Sequence, residues 1–171
     1  MTIIYKYLYT PRLLPVLVNV VWVLAGMFTM QYARAGYSYS TDGSEVTDST
    51  TGLIWRRCAE GMAWSGTNCM GTAVTYTHEN AFIRAKTEAS SSGKAWRVPN
   101  VKELSSLHKL PFNSSIAIDL EAFPSTPTSA YYWTSTPNAS NSVWAYFVNF
   151  YNGFDAAYNL RSYNYYVRLV R

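Results

Sequence analysis

A chain of 171 residues has room for one domain and little of a second. Its net charge of +4 sits mostly in the first 35 residues, where Lys6, Arg12 and Arg34 stand without an acid, so the remainder is close to neutral. Net charge therefore gives no footing to a nucleic-acid partner, and two cysteines are too few ligands for a structural zinc site.

Residues 1–35 read as a secretory signal. Lys6 and Arg12 precede an apolar run from Leu13 to Met30, and Ala33-Arg34-Ala35 sets small residues ahead of a cut before Gly36. The run is close to the shortest that crosses a bilayer, so a retained leader would instead anchor the protein to the inner membrane, its one membrane contact. Either way the domain, 36–171, is expected to be exported: periplasmic, at the cell surface or secreted.

The exported part opens polar and turn-rich. Asp48 and Gly52 bracket a turn that feeds a short strand at Leu53-Ile54-Trp55. Cys58 and Cys69 follow, and in an oxidising compartment a close pair is most simply a disulfide; the spacing is not Cys-x-x-Cys. Between them Gly61 and Gly66 permit tight turns and Trp64 is a packing plug.

Residues 77–92 predict a helix, with Thr77 as N-cap, Glu79 in the first turn and Gly93 as the stop. His78, Ala81, Phe82, Ala85 and Ala89 fall on one face and define its expected buried side. A second helix starts in "WRVPNVKELSSLHKL". Asn100 caps it, Glu103 reaches back to the cap amide, and Val101, Leu104 and Leu107 point inward, while Pro99 holds the approach extended.

From 111 to 141 the chain reads as irregular, rich in Ser, Thr and Pro and tacked down by Phe123, Tyr131, Tyr132 and Trp133. "VWAYFVNFY" is apolar on both faces, the pattern of a strand buried on both sides, which makes Trp144, Phe147 and Phe150 core. Asn152-Gly153 signals a hairpin, and "YYVRLVR" reads as a last strand with Val167 and Leu169 inside. Helices set apart from a terminal antiparallel meander make the class α+β.

Several segments, "VTDSTTGLIWRRC", "WSGTNCMGTAVTYTHENA", "AWRVPNVKELSSL", "AFPSTPTSAYYWTST" and "VWAYFVNFYNGF…YYVRLVR", together resemble the Lcl C-terminal domain family. This is a bacterial domain of largely unknown function named after a collagen-like adhesin. The resemblance runs from about Val46 to Arg171, and its most specific piece is Trp96-Arg97-x-Pro99 with Glu103-Leu104. It implies a C-type-lectin-like fold, two helices with a small antiparallel sheet and long loops, related to that of formylglycine-generating enzymes. It also implies an exported binding surface after the lectin-like loops. His78 stands where the family commonly has an aromatic, and Val98 where Leu is common. The Glu-Pro-Asn, Gln-Pro-Asp and Trp-Asn-Asp triplets of calcium-dependent lectins are missing, and the "STP" and "STPNAS" stretches found instead offer no carboxylate for a hard cation. No metal and no other cofactor is expected.

For catalysis the sequence offers little. There is no Gly-x-Ser-x-Gly elbow, and His78 and His108 fall on predicted helices without a partner pattern. Trp96, Arg97, Asn100 and Glu103 are read as structural, Glu103 closing the cap and Arg97 bonding backbone or a carboxylate across the core. The segment "DAAYNLRSYN" has the Tyr, Asn and Ser content of antibody-type binding loops plus one cation suited to carboxylate or sulfate. Asp155, Tyr158, Asn159, Arg161, Tyr163 and Asn164 are thus the expected ligand-binding residues; a solvated hairpin with packed tyrosines is the bland alternative. The expectation is a non-catalytic module of the bacterial cell envelope that recognises carbohydrate or protein in an adhesin-like way. The alternatives are an enzyme or enzyme accessory of the formylglycine-generating fold, and a structural envelope protein.

Overall fold

The computed structural model of the protein describes residues 36–109, 116–129, 131–151 and 157–171. The leader, the Asn152-Gly153 turn and Asp155 lie outside the described residues.

The first sheet is formed by β1 (Tyr37–Tyr39), β2 (Glu45–Asp48) and β3 (Ile54–Arg56), in that order and antiparallel throughout. The Asp48 turn is as expected. Asp48 Oδ1 accepts from the Thr50 amide at 2.8 Å, Oδ2 accepts from the Thr51 hydroxyl at 2.7 Å, and the Gly52 amide donates to the Asp48 carbonyl at 2.8 Å. Cys58 and Cys69 are joined, with Cα atoms 5.5 Å apart. The loop they close contains a small hairpin of β4 (Ala63–Trp64) and β5 (Cys69–Met70).

Gly61 in that loop has φ +94°, and a Cβ there would lie 2.5 Å from Val74 Cγ2 and 2.7 Å from the Val74 backbone nitrogen. Gly66 has a similar φ of +97° but open space around it. Gly66→Ala is therefore expected to cost only the left-handed strain, about 1–2 kcal/mol. Gly61→Ala adds overpacking of about 1–3 kcal/mol against backbone that has nowhere to go. Urea midpoints of the two variants measure the difference; equal midpoints would mean that the 61/74 contact carries no weight.

α1 (His78–Ser92) is bounded as its sequence predicts. Thr77 Oγ1 accepts from the Asn80 amide, and Gly93 stops the helix in the left-handed conformation, its amide on the Ala89 carbonyl at 3.0 Å. His78, Ala81 and Ala85 are buried, but Phe82 is 41% exposed, against expectation. The small alanines lie on the line of closest approach to the core, and Phe82, one position round, is left at its rim, edge-on to His78. α2 (Val101–Ser105) carries the full capping box, with the Glu103 amide on Asn100 Oδ1 at 2.9 Å and the Asn100 amide on Glu103 Oε2 at 2.8 Å. It is one short turn long; Leu107 is buried just beyond it.

The second three-stranded sheet, antiparallel, has the order β6 (Tyr131–Pro137), β7 (Trp144–Asn149), β8 (Ala157–Leu160). β6 lies in a stretch read as irregular, and β8 in the segment read as a binding loop. The architecture is α+β, with two helices and small antiparallel sheets. Two apolar clusters flank the second sheet. Tyr132 and Val148 join one with Trp55, Leu104 and Phe150, whereas Trp133, Ala145 and Phe147 join the other with Ala81, Ala85 and Trp96.

Residues 165–171 are not one strand of one sheet but a spine that touches four segments. Val170 bridges both Trp55 and Arg97, Tyr165 bridges Tyr76, and Tyr166 bridges Tyr132. Its side chains alternate between the clusters: Val167 and Leu169 enter one and Val170 the other. Arg168, which follows the alternation into the first cluster's side, is 0% exposed. Its guanidinium donates to the carbonyls of Arg56 and Arg57 and to Thr126 Oγ1, and it lies 4.7 Å above the Phe123 ring.

Candidate functional site

The expected ligand residues of the terminal segment are placed by β8 and the turn after it. In a strand, successive side chains point to opposite faces. Tyr158 therefore falls on one face, where its ring stacks on Trp144 at 5.1 Å and 17° and meets Tyr146 edge-on. Trp144, expected in the core, is half-buried at the start of β7 for this reason: its cover is Tyr158, which is itself 49% exposed. Asn159 points the other way. Its Nδ2 donates to Tyr165 Oη at 2.8 Å, and its Oδ1 accepts from the Leu160 amide at 2.8 Å. Tyr163 is 48% exposed with its ring beside Tyr165, and Asn164 is exposed. The structure thus sends Tyr158 and Asn159 to opposite faces instead of gathering them into one patch.

Arg161 turns into a third environment. Its amide donates to the Val143 carbonyl and its carbonyl accepts from the His78 amide at 3.0 Å, so the turn is pinned to the start of α1. Between them is a groove of about 880 Å³ lined by Arg161, His78, Glu79, Phe82, Ile83 and Pro137. His78 is buried, its Nε2 2.9 Å from the Thr134 carbonyl and its ring edge-on to Trp133 and Phe82, so it does the packing work of an aromatic. The sequence pattern had given this histidine no role beyond packing or solvation, and its place at the groove follows from the 161–78 bond between distant segments.

Burial holds the His78 pKa below its ordinary 6.5, the Arg161 charge adding to the effect and the Thr134 carbonyl opposing it. Glu103 is also held low, by its bonds to Arg97 and the Asn100 amide, and Glu45 by Arg171 and Lys94, which outweigh its burial. The signs combine simply. The unfolded chain takes up a proton at histidine before the fold does, so stability falls as pH drops below about 6.5 through the folded His78 value. It falls again below about 4.5 as the unfolded carboxylates protonate ahead of the folded ones. Urea midpoints measured from pH 8 to 3 should therefore fall in two stages, the first missing in His78→Phe. A first stage that persists in the variant would assign it to another group.

The residues read as structural take part in packing and capping contacts. Arg97 forms a two-pronged pair with Glu103 at 2.7 and 2.8 Å, completing the capping box, but at the surface and not across the core. Trp96 is buried with the guanidinium groups of Arg56 and Arg171 each 5.4 Å from its ring. The sequence did not single out the charge cluster beside it, where Arg56 and Arg84 share Glu60 and Glu88. His108 lies after α2, not on it, with Nε2 3.1 Å from the Asn149 carbonyl. Among the described residues no three His, Cys, Asp or Glu side chains are grouped to hold a metal ion, and no described helix is long and apolar enough to cross a membrane.

Comparison with protein families matches residues 44–171 to the Lcl C-terminal domain. Searches of curated proteins and of solved structures each returned no match.

Proposed function

As a chain that belongs to the Lcl C-terminal domain family, this protein is, we propose, an exported, non-catalytic binding module of the bacterial cell envelope with a C-type-lectin-like fold. Its ligand is a carbohydrate or a protein, met at the surface of β8 and the turn that follows. The observation that carries this reading is the aromatic platform of exposed Tyr158 stacked on half-buried Trp144, set on a sheet packed on both sides and flanked by the Arg161 groove. Large amphipathic rings on a rigid frame give wide contact area with little side-chain entropy to lose on binding. A catalytic reading of the formylglycine-generating kind needs a reactive thiol, and both cysteines of the chain are consumed in the disulfide.

The test is a binding screen of the purified protein against glycans, sulfated polysaccharides and envelope or host extracts, with and without chelator. Tyr158→Ala, Arg161→Ala and Tyr163→Ala are run separately, because the residues occupy different faces. Chelator-resistant binding lost in Tyr158→Ala supports the platform, and loss confined to Tyr163→Ala moves the site to the opposite face. Binding that survives all three removes it from this segment, and no binding to anything favours a structural envelope role.

A further inference from the structure

This inference rests on the reading of the terminal segment as a recognition surface and names the chemistry taken at one part of it. Two polar groups line the groove at the start of α1 with bonding capacity unused. The first is the Arg161 guanidinium. Every other arginine among the described residues has a terminal guanidinium nitrogen on a carboxylate, carbonyl or hydroxyl. Among the described residues Arg161 bonds only through Nε, to the Trp144 carbonyl at 3.3 Å, and its planar fork of donors is left over.

The second is Nδ1 of His78. A carbonyl can only accept, so the 2.9 Å contact with Thr134 puts the ring proton on Nε2 and leaves Nδ1 of the neutral imidazole as an acceptor. Among the described residues no donor meets it. The bond from the His78 amide to the Arg161 carbonyl holds the two residues side by side. Phe82, Ile83 and Pro137 supply an apolar wall, and Glu79 is the one carboxylate among the lining residues.

We propose that this groove binds a small organic anion that carries a hydroxyl beside its carboxylate. The carboxylate meets the Arg161 fork, the hydroxyl donates to His78 Nδ1, and the carbon frame lies on Phe82 and Pro137. A plain carboxylate leaves the histidine acceptor unmet, a neutral polyol leaves the fork unmet, and a cation is repelled by Arg161. Free hydroxy acids and acid sugars share the required chemistry.

The experiment is calorimetric titration of the purified protein, with long-range ¹H–¹⁵N spectra of the His78 ring, using four probes. Malate carries its hydroxyl on the carbon next to a carboxylate and galacturonate carries its nearest one a carbon further along, succinate lacks the hydroxyl, and galactose lacks the carboxylate. Expected is a shift of the His78 Nδ1 resonance with malate or galacturonate, whichever source fits, and affinity about tenfold or more weaker for the matched control. Arg161→Gln, a half-exposed position, should weaken the same binding at least about tenfold while its thermal midpoint stays put. Succinate binding as well as malate, or binding unchanged in Arg161→Gln, overturns the proposal. So does a silent His78 with both acids. If glycan or protein binding is still lost in Tyr158→Ala while the acids fail, the recognition surface stands and only this assignment falls.

Discussion

Replacing Arg168 by Met lowers the stability of the fold by about 2–6 kcal/mol, about 1–3 for each of two buried acceptors, although it removes a charge from a fully buried position. The reason is what remains behind. The guanidinium is the donor for the carbonyls of Arg56 and Arg57 and for the Thr126 hydroxyl, and methionine leaves these acceptors without it. A buried acceptor left unmet costs about 1–3 kcal/mol, and the bonds to the Arg57 carbonyl and the Thr126 hydroxyl are both buried. Arg168→Lys does not rescue the loss, because a single ammonium cannot reproduce a planar fork that reaches two adjacent carbonyls and a hydroxyl while stacked on Phe123. Urea unfolding of the two variants decides the matter. Lysine at wild-type stability would show that charge alone, and not the fork, is what the site requires.

Breaking the Cys58–Cys69 bond, by reduction or by Ser at both positions, is expected to lower stability by about 3 kcal/mol, as for other bonds that close short loops. The loop is also where much of the local order depends on the link. It holds the β4–β5 hairpin, whose Trp64 lies 4.2 Å from the Arg57 guanidinium and donates through Nε1 to the Asp42 carbonyl. Arg57 in turn donates to the carbonyls of Gly43, Glu121 and Ala122, so slack in the hairpin is felt in two further loops. Melting with and without reductant measures the effect, and the double-Ser variant should be insensitive to reductant. A shift worth under about 1 kcal/mol would mean that the arginine bonds hold these loops without the covalent link.

What the sequence made legible was local. The Thr77 cap, the Gly93 stop, the Asn100–Glu103 box and the Asp48 turn each depend on residues within five positions of one another, so their chemistry is written side by side in the chain. The elements it concealed are set by distant partners. β6 sits among Ser, Thr and Pro that signal irregular chain, and it becomes a strand because β7 pairs with it and both of its faces are covered. Arg168 looked like one more basic residue in a terminal strand; its burial follows from carbonyls 112 and 111 positions away. The binding segment was legible as composition and not as geometry. Tyr, Asn and Ser content does not say that β8 will send Tyr158 and Asn159 to opposite faces, nor that Arg161 will be pinned to His78.

The spine at 165–171 also bears on how fast this protein folds. It closes contacts with residues near 55, 76, 97 and 132, so native order waits on the pairing of segments far apart in the chain. Folding dominated by such long closures is slow, since chain entropy is lost before the contacts repay it. Neither apolar cluster is complete until the spine docks, because each takes side chains from it. The transition state for folding should therefore contain the helices and hairpins but not the spine. Core substitutions at Val167, Leu169 and Val170 would then speed unfolding far more than they slow folding.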